Sequence, residues 1–306
     1  MSAAVARNIL SVDLEDWHGL VLRRIRGGPL PAPSRHVFRQ TDGLLAMLER
    51  HGVKCTFFVL GALAEAAPEL VARVAAAGHE IGSHGHGHDL VFRLGAAAFR
   101  EDVKRAKGAL EDMTGREVAG YRAPEFSISR PESLPWALEI LADLGFRYDS
   151  SIFPIRGRRY GLAGFPREPA CYEMGAAGRL VEFPLATYHA AGRDLPVAGG
   201  GYFRLFPLRM LDAAVRSSNA AGLPFVTYFH PYEFDAEPLD VYDGDAARGW
   251  QERLSGARYN ARYNVGRPGL ARKVEALLER HHFTTFAEYL DHAAVSTGCR
   301  VFPSHG

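Results

Sequence analysis

His79-Glu80-Ile81-Gly82-Ser83-His84-Gly85-His86-Gly87-His88-Asp89 sets a short strand-like run directly before three histidines at alternate positions. His84 and His88 have the spacing that puts two imidazoles on one helix face. The glycines between them oppose a helix, since each costs about 1 kcal/mol relative to alanine there. A tight loop leaving a strand is the better reading, with glycine letting the backbone curl around a bound ion. Imidazole is a common ligand for zinc and similar metals, and a catalytic ion usually takes two or three histidines with a carboxylate. His86, at the alternate position, is expected behind the ligands or in solvent.

Outward from this stretch the chain alternates helix and strand. Residues 62–77 carry Leu63, Leu70, Val71 and Val74 on one helical face and stop at Gly78. Residues 36–51, 96–113, 131–144 and 207–221 read as further helices. Residues 8–12, 55–60, 118–121, 180–184 and 225–229 read as strands. The run 199–204 reads as a backbone-exposing loop and 235–268 as a long polar excursion. Residues 269–281 and 285–292 form a final helix pair around a short strand at Phe283-Thr284. Repeated helix after strand predicts an α/β fold with a parallel sheet. No dinucleotide or phosphate-loop glycine pattern follows the first strand, which argues against a nucleotide fold. Polar clusters at 13–16, 84–88, 122–125 and 149–151 each follow a strand. In a closed parallel barrel such positions share one mouth, where barrel active sites are built. A barrel is therefore expected.

A chain of 306 residues with 47% hydrophobic and 23% charged residues suits one large domain, 1–306, with 235–306 as a C-terminal extension packed on the barrel. A net charge of +1 gives no global steering toward nucleic acid or an anionic membrane. No segment reaches the ~20 apolar residues of a membrane span, and no signal-peptide run opens the chain. Cys55, Cys171 and Cys299 lack metal-like spacing and predict a reduced, cytoplasmic protein with small buried thiols.

The chemistry assembles from the strand ends. Asp13 and Asp16 offer a base and a metal carboxylate, His84 and His88 the imidazoles, and His230 an acid after a late strand. Three carboxylates within 13–16 repel one another unless a cation sits nearby. Arg122, arriving at the same mouth, is expected to pair a carboxylate.

The order of these motifs resembles the polysaccharide deacetylases of carbohydrate esterase family 4, the NodB-homology domain, over about residues 8–235. It is most similar to the subgroup found with exosortase and exopolysaccharide loci. The likeness runs through Asp13-Leu14-Glu15-Asp16-Trp17, Ser83-His84-Gly85, Gly120-Tyr121-Arg122-Ala123-Pro124, Asp149-Ser150-Ser151-Ile152-Phe153-Pro154, Gly199-Gly200-Gly201-Tyr202-Phe203-Arg204 and Tyr228-Phe229-His230-Pro231. The resemblance implies a distorted (β/α)7 barrel. It implies Asp13 as base, oriented by Arg122, His84 and His88 as ligands of a divalent ion, and His230 as acid. Tyr148, Asp149, Ser150, Phe153 and Trp17 would bind substrate, with an oxyanion-binding N–H near 148–150. The family's adjacent aspartates are replaced here by Asp13-Leu14-Glu15-Asp16; Asp16 is the expected metal carboxylate and Glu15 the alternative. Glu125 stands where the family usually has a small or aromatic residue. Zinc fits such a set, as would cobalt, nickel or iron. The expected activity is N-deacetylation of N-acetylhexosamine units in a polysaccharide or lipid-linked glycan. Rival readings are an amidohydrolase of small non-sugar amides, a metal-free glycosidase using Asp13 and Glu125, and a non-catalytic glycan-binding module.

Overall fold

The computed structural model describes residues 7–157, 160–190, 192–242, 249–292 and 299–301. The first half comprises β1 (Arg7–Leu14), α1 (Trp17–Arg26), α2 (Arg35–Arg50), β2 (Thr56–Val59), α3 (Gly61–Ala66), α4 (Pro68–Ala76), β3 (Glu80–Ser83), α5 (Val91–Thr114), β4 (Gly120–Tyr121), α6 (Leu134–Asp143) and β5 (Tyr148–Asp149). The second half adds β6 (Ala170–Glu173), β7 (Arg179–Glu182), β8 (Thr187–Ala190), β9 (Arg193–Pro196), α7 (Gly200–Leu205), α8 (Leu208–Ala220), β10 (Val226–Phe229), α9 (Trp250–Asn264), α10 (Leu270–Leu278), β11 (His282–Thr284), α11 (Phe286–His292) and β12 (Arg300–Val301).

β1 is the hub. Ile9, Leu10, Val12 and Leu14 are all buried, the continuous apolar character of a parallel strand covered on both faces. It pairs in parallel with β2 along Ser11–Leu14, with β10 along Ile9–Val12, and with β11 along Arg7–Ile9. Among the described residues the strand order β10-β1-β2-β3-β4-β5-β7 gives seven parallel strands, with β6 antiparallel on β7. The remaining gap is bridged by single bonds. Leu185 N–H reaches the Ile152 carbonyl, Ala186 N–H the Val226 carbonyl, and Tyr228 N–H the Ala198 carbonyl. The result is a distorted α/β barrel. Its mouth is formed where β1, β3, β4 and β10 end.

Several expectations change. The helix expected over 62–77 breaks at Ala67, because Pro68 starts a new helix where a missing N–H costs nothing. The run expected as a loop over 199–204 is helical, as α7. Within the polar excursion lies α9, fifteen residues long, which apolar periodicity could not reveal because its core-facing side is made largely of tyrosines. β11 enters the main sheet beside β1 instead of packing on it.

The cysteines are the larger correction. Cys171 on β6 and Cys299, next to β12, form a disulfide with Cα atoms 4.5 Å apart, within the usual range for such a bond. They are 128 residues apart, and only the pairing of β12 with β6 brings them together. The expectation of reduced thiols holds for Cys55 alone, and burial pushes that thiol well up. Cysteine usage thus gives no support to a reducing compartment. Alkylation of the unfolded, unreduced protein should label one thiol, at Cys55, and all three after reduction. Three labelled thiols before reduction would exclude the bond.

Candidate metal centre and groove

Strand alternation at the end of β1 sorts its polar residues. Ser11 and Asp13 sit at alternate positions on one face, and both accept from a single arginine. Arg122, just past β4 and without exposed surface, donates from Nη1 to Ser11 Oγ (2.7 Å) and Asp13 Oδ1 (2.9 Å). Its Nε and Nη2 donate to the Ser150 carbonyl and Ser150 Oγ, both at 2.9 Å. The guanidinium lies 4.3 Å from the ring centre of Phe58, a cation–π contact strengthened by desolvation. The Arg122 carbonyl lies 2.8 Å from His84 Nδ1. With Nδ1–H donating there, His84 Nε2 is left as the lone-pair nitrogen facing the mouth.

Glu15 continues the alternation one step past β1. Its carboxylate is 2.9 Å from His88 Nε2, 3.6 Å from His84 Nε2 and 3.5 Å from His230 Nε2. Burial alone would raise its pKa, but His88 and His230 outweigh this and hold the carboxyl well below its usual range. One donor atom each from Glu15, His84 and His88 fits within 4.8 Å. A buried carboxylate with two oriented imidazoles is the donor set of a zinc-type dication, so the residues present fit the ion expected from the sequence. Asp16 does not join them. It caps α1, accepting from His18 N–H, Ser34 N–H and Ser34 Oγ–H at 3.2, 2.7 and 2.9 Å. Glu15 thus occupies the position in the cluster expected for Asp16, because adjacent residues at a strand end point opposite ways.

The histidine loop is pinned from behind. Asp102 on α5 accepts from His86 N–H and Gly87 N–H at 2.8 and 3.1 Å. A Cβ at Gly85, whose φ is +72°, would stand 2.9 Å from that carboxylate, so glycine is needed there on two counts. His88 itself holds φ at +57°, a left-handed conformation unfavourable for a non-glycine residue. His86 turns toward Glu65 at 3.3 Å, away from the cluster.

His230 lies across the mouth at the end of β10. Its Nδ1 is 3.3 Å from Glu233 Oε2, which also accepts from His230 N–H at 3.0 Å. Burial pulls the imidazole pKa down, yet Glu15, Glu233 and Asp13 together raise it to about 9. Glu233 was missed from sequence. The readable signal was His230-Pro231-Tyr232-Glu233, a proline-led turn whose last acid reaches back to its first N–H. Gly200 makes room for it, since a Cβ there would overlap the Glu233 carboxylate.

These groups open into a groove of about 460 Å³. Trp17 lines it as expected, with Tyr160, Tyr202, Tyr232 and Tyr263. At its rim Glu125 pairs with Arg24. Four residues expected to bind substrate do not reach it. Tyr148, Asp149, Ser150 and Phe153 are wholly buried and absent from the groove wall. The Tyr148 hydroxyl donates to Glu80 at 2.8 Å, and the Phe153 ring packs on Phe126, Tyr160 and Tyr202. Ser150 supports Arg122. Nor is an oxyanion-binding N–H available at 148 or 150, since these donate to the carbonyls of Ala119 and Tyr121.

Asp149 instead faces Glu182 across the β5–β7 register. Their oxygens Oδ2 and Oε2 are buried and meet no ordinary donor, and each is satisfied once the two carboxyls share a proton. Burial, with Asp149 beside it, raises Glu182 well above its usual range; burial also lifts Asp149 to about 6.

A buried carboxylate beside two oriented imidazoles at a barrel mouth is a donor set suited to a divalent ion. Comparisons with known proteins bear on the fold and family. Residues 38–148 match the polysaccharide deacetylase family profile, and residues 150–291 match a domain of unknown function, DUF3473. Asp13 and Glu15 precede both spans, whereas His230 falls in the second. A peptidoglycan-N-acetylglucosamine deacetylase of Bacillus cereus is 33% identical over 99 residues, covering 32% of this chain and 36% of the relative. A chitooligosaccharide deacetylase of Bradyrhizobium is 28% identical over 102 residues, 33% of this chain and 43% of the relative. The chain thus spans well under half the length of these curated relatives. Among solved structures, a "putative polysaccharide deacetylase" from Mycobacterium smegmatis superimposes with a TM-score of 0.60 at 19% identity, covering 100% of this chain and 97% of the other. That likeness establishes the α/β barrel fold.

Two predictions follow from this geometry. Glu15→Ala should weaken divalent-ion binding at least ~10-fold, read by chelator competition. Asp16→Ala should leave that affinity unchanged and lower stability by about 1 kcal/mol through the lost cap. The reverse pattern would restore Asp16 as ligand. A carboxyl raised in the folded state binds more protons folded than unfolded, so the favourable contribution of Glu182, raised well above its usual range, is complete below about pH 4 and is lost progressively as pH rises above it. Glu182→Gln should therefore stabilise the protein relative to wild type more at pH 8 than at pH 5, by on the order of 1 kcal/mol. Urea titrations at both pH values check this, and an equal or opposite difference would refute the shared proton.

Proposed function

We propose that this protein is a metal-dependent N-deacetylase acting on N-acetylhexosamine units of a glycan. One observation carries the reading: Asp13, the Glu15–His84–His88 set and His230 converge on a single aromatic-walled groove. Glu15, His84 and His88 would hold the divalent ion, zinc being the best match to one carboxylate and two imidazoles. When bound, such an ion polarises an acetamide carbonyl and makes a nearby water more acidic.

The chain's own residues supply the rest. Asp13, fixed by Arg122, takes the proton from the attacking water. His230, whose proton is favoured by the surrounding carboxylates, gives it to the departing amine. Glu233 fixes the ring so that Nε2 faces the reacting bond. The partly exposed rings of Tyr160, Tyr202 and Tyr263 on the groove wall offer apolar surface to sugar rings. The partial relatives named for peptidoglycan and chitooligosaccharide deacetylation support a glycan over a small amide. An exopolysaccharide or lipid-linked glycan is the particular substrate proposed, on the motif resemblance described above.

Acetate release from N-acetylglucosamine oligomers should be abolished by chelator and restored by a divalent ion. Asp13→Asn should lower kcat at least ~100-fold while leaving metal affinity unchanged. Activity retained in chelator, or in Asp13→Asn, would sink the assignment.

A further inference from the structure

Among the described residues the exposed large apolar side chains are Leu205, Trp250, Leu254 and Val265. All four lie on α9 or against its C-terminal end. Trp250 and Leu254 are one turn apart on the helix, and Val265 follows directly after it. Leu205 adjoins Arg204, whose carbonyl abuts Gly266 and whose guanidinium donates to the Tyr263 carbonyl at 2.6 Å.

At 3.6 residues per turn, Trp250, Leu254, Ala257 and Ala261 fall within an arc of roughly 60°, and all four are exposed. Arg253 borders the arc on one side and Arg258 on the other, with Arg262 farther round. None of the three arginines has an ion-pair partner among the described residues. The opposite face is fully committed. Tyr259 and Tyr263 pack on the cluster around Trp17, Gly256 sits against Tyr242, and Glu252 pairs with Arg26. The helix is thus held by its aromatic side and presents outward an apolar stripe between cations.

We propose that this face docks on the surface of an anionic lipid bilayer. An apolar stripe led by tryptophan and edged by arginine is the pattern of a helix lying in a membrane interface. The unpaired arginines fit anionic headgroups by charge. No helix among the described residues is long and apolar enough to cross a membrane, so the contact is peripheral. A protein partner or a second copy could cover an apolar stripe, but neither accounts for cations on both edges without a matching acidic surface. Because Arg262 and Tyr263 also line the groove, docking would set its rim beside the bilayer. If the deacetylase reading holds, on which this last step rests, the glycan would be presented from a lipid anchor.

The test uses the full chain with vesicles of equal parts phosphatidylcholine and phosphatidylglycerol, and with phosphatidylcholine alone. Wild type should cosediment with the anionic vesicles, less at high salt, with tryptophan emission quenched by brominated lipid. Trp250→Glu/Leu254→Glu should reduce the bound fraction at least ~10-fold while releasing acetate from soluble oligomers at the wild-type rate. Arg253→Gln/Arg258→Gln should weaken binding and flatten its salt dependence. Wild type remaining in the supernatant with anionic vesicles would overturn the proposal. So would undiminished binding by the Trp250/Leu254 variant, or a wild-type dimer that this variant dissociates. Failure to bind vesicles leaves acetate release untouched, so the two readings fail separately.

Discussion

A guanidinium removed from water is among the costliest groups a fold can bury, and it persists only where its donors and its charge are answered. Arg122 meets that demand with Ser11, Asp13 and Ser150, and with the face of Phe58. These partners come from β1, β2 and the segment after β5, so satisfying one side chain fixes how the strand ends converge. Its own carbonyl sets the ring of His84. The separation between Asp13 and the imidazole pair is therefore not an independent variable. A change at Arg122 would move the Asp13 carboxylate and the His84 ring together.

Around this cation, carboxylates and imidazoles alternate at the mouth. Glu15 sits among His84, His88 and His230, and Glu233 stands behind His230. Deeper in the barrel, burial raises both carboxyls of the facing Asp149–Glu182 pair and so favours their neutral forms. The strain at His88 belongs to the same economy of position. Asp102 and the backbone of Gly61 and Ala62 hold the loop so that a left-handed histidine stays in place. Strain of this kind persists only where surrounding structure over-determines it.

Much of this was legible in the sequence because barrel fold and barrel site share one signal, polar residues at successive strand ends. Asp13, His84, His88, Arg122 and His230 were found by that pattern and do meet at one mouth. Glu15 was legible as well, since Ser11, Asp13 and Glu15 differ by two and a strand repeats every two residues. Asp16, the expected ligand, lies one position off that period and caps α1. Tyr148, Asp149, Ser150 and Phe153 were misplaced for another reason. A strand of only two residues gives no alternation by which to separate groove from core. The Cys171–Cys299 bond and the place of β11 depend on contacts across more than a hundred residues, which local patterning does not encode.

That bond closes a loop containing His230, Glu233, the whole of α9 and β11. In the chain-entropy description, a ring of this length restricts the unfolded ensemble by about 5 kcal/mol at room temperature, comparable to the entire net stability of many domains. The glutathione poise of the host is then a determinant of how much folded protein exists. Material made in a strongly reducing cell and material oxidised after purification would share one sequence and one site, yet differ in how long that site survives heat or protease.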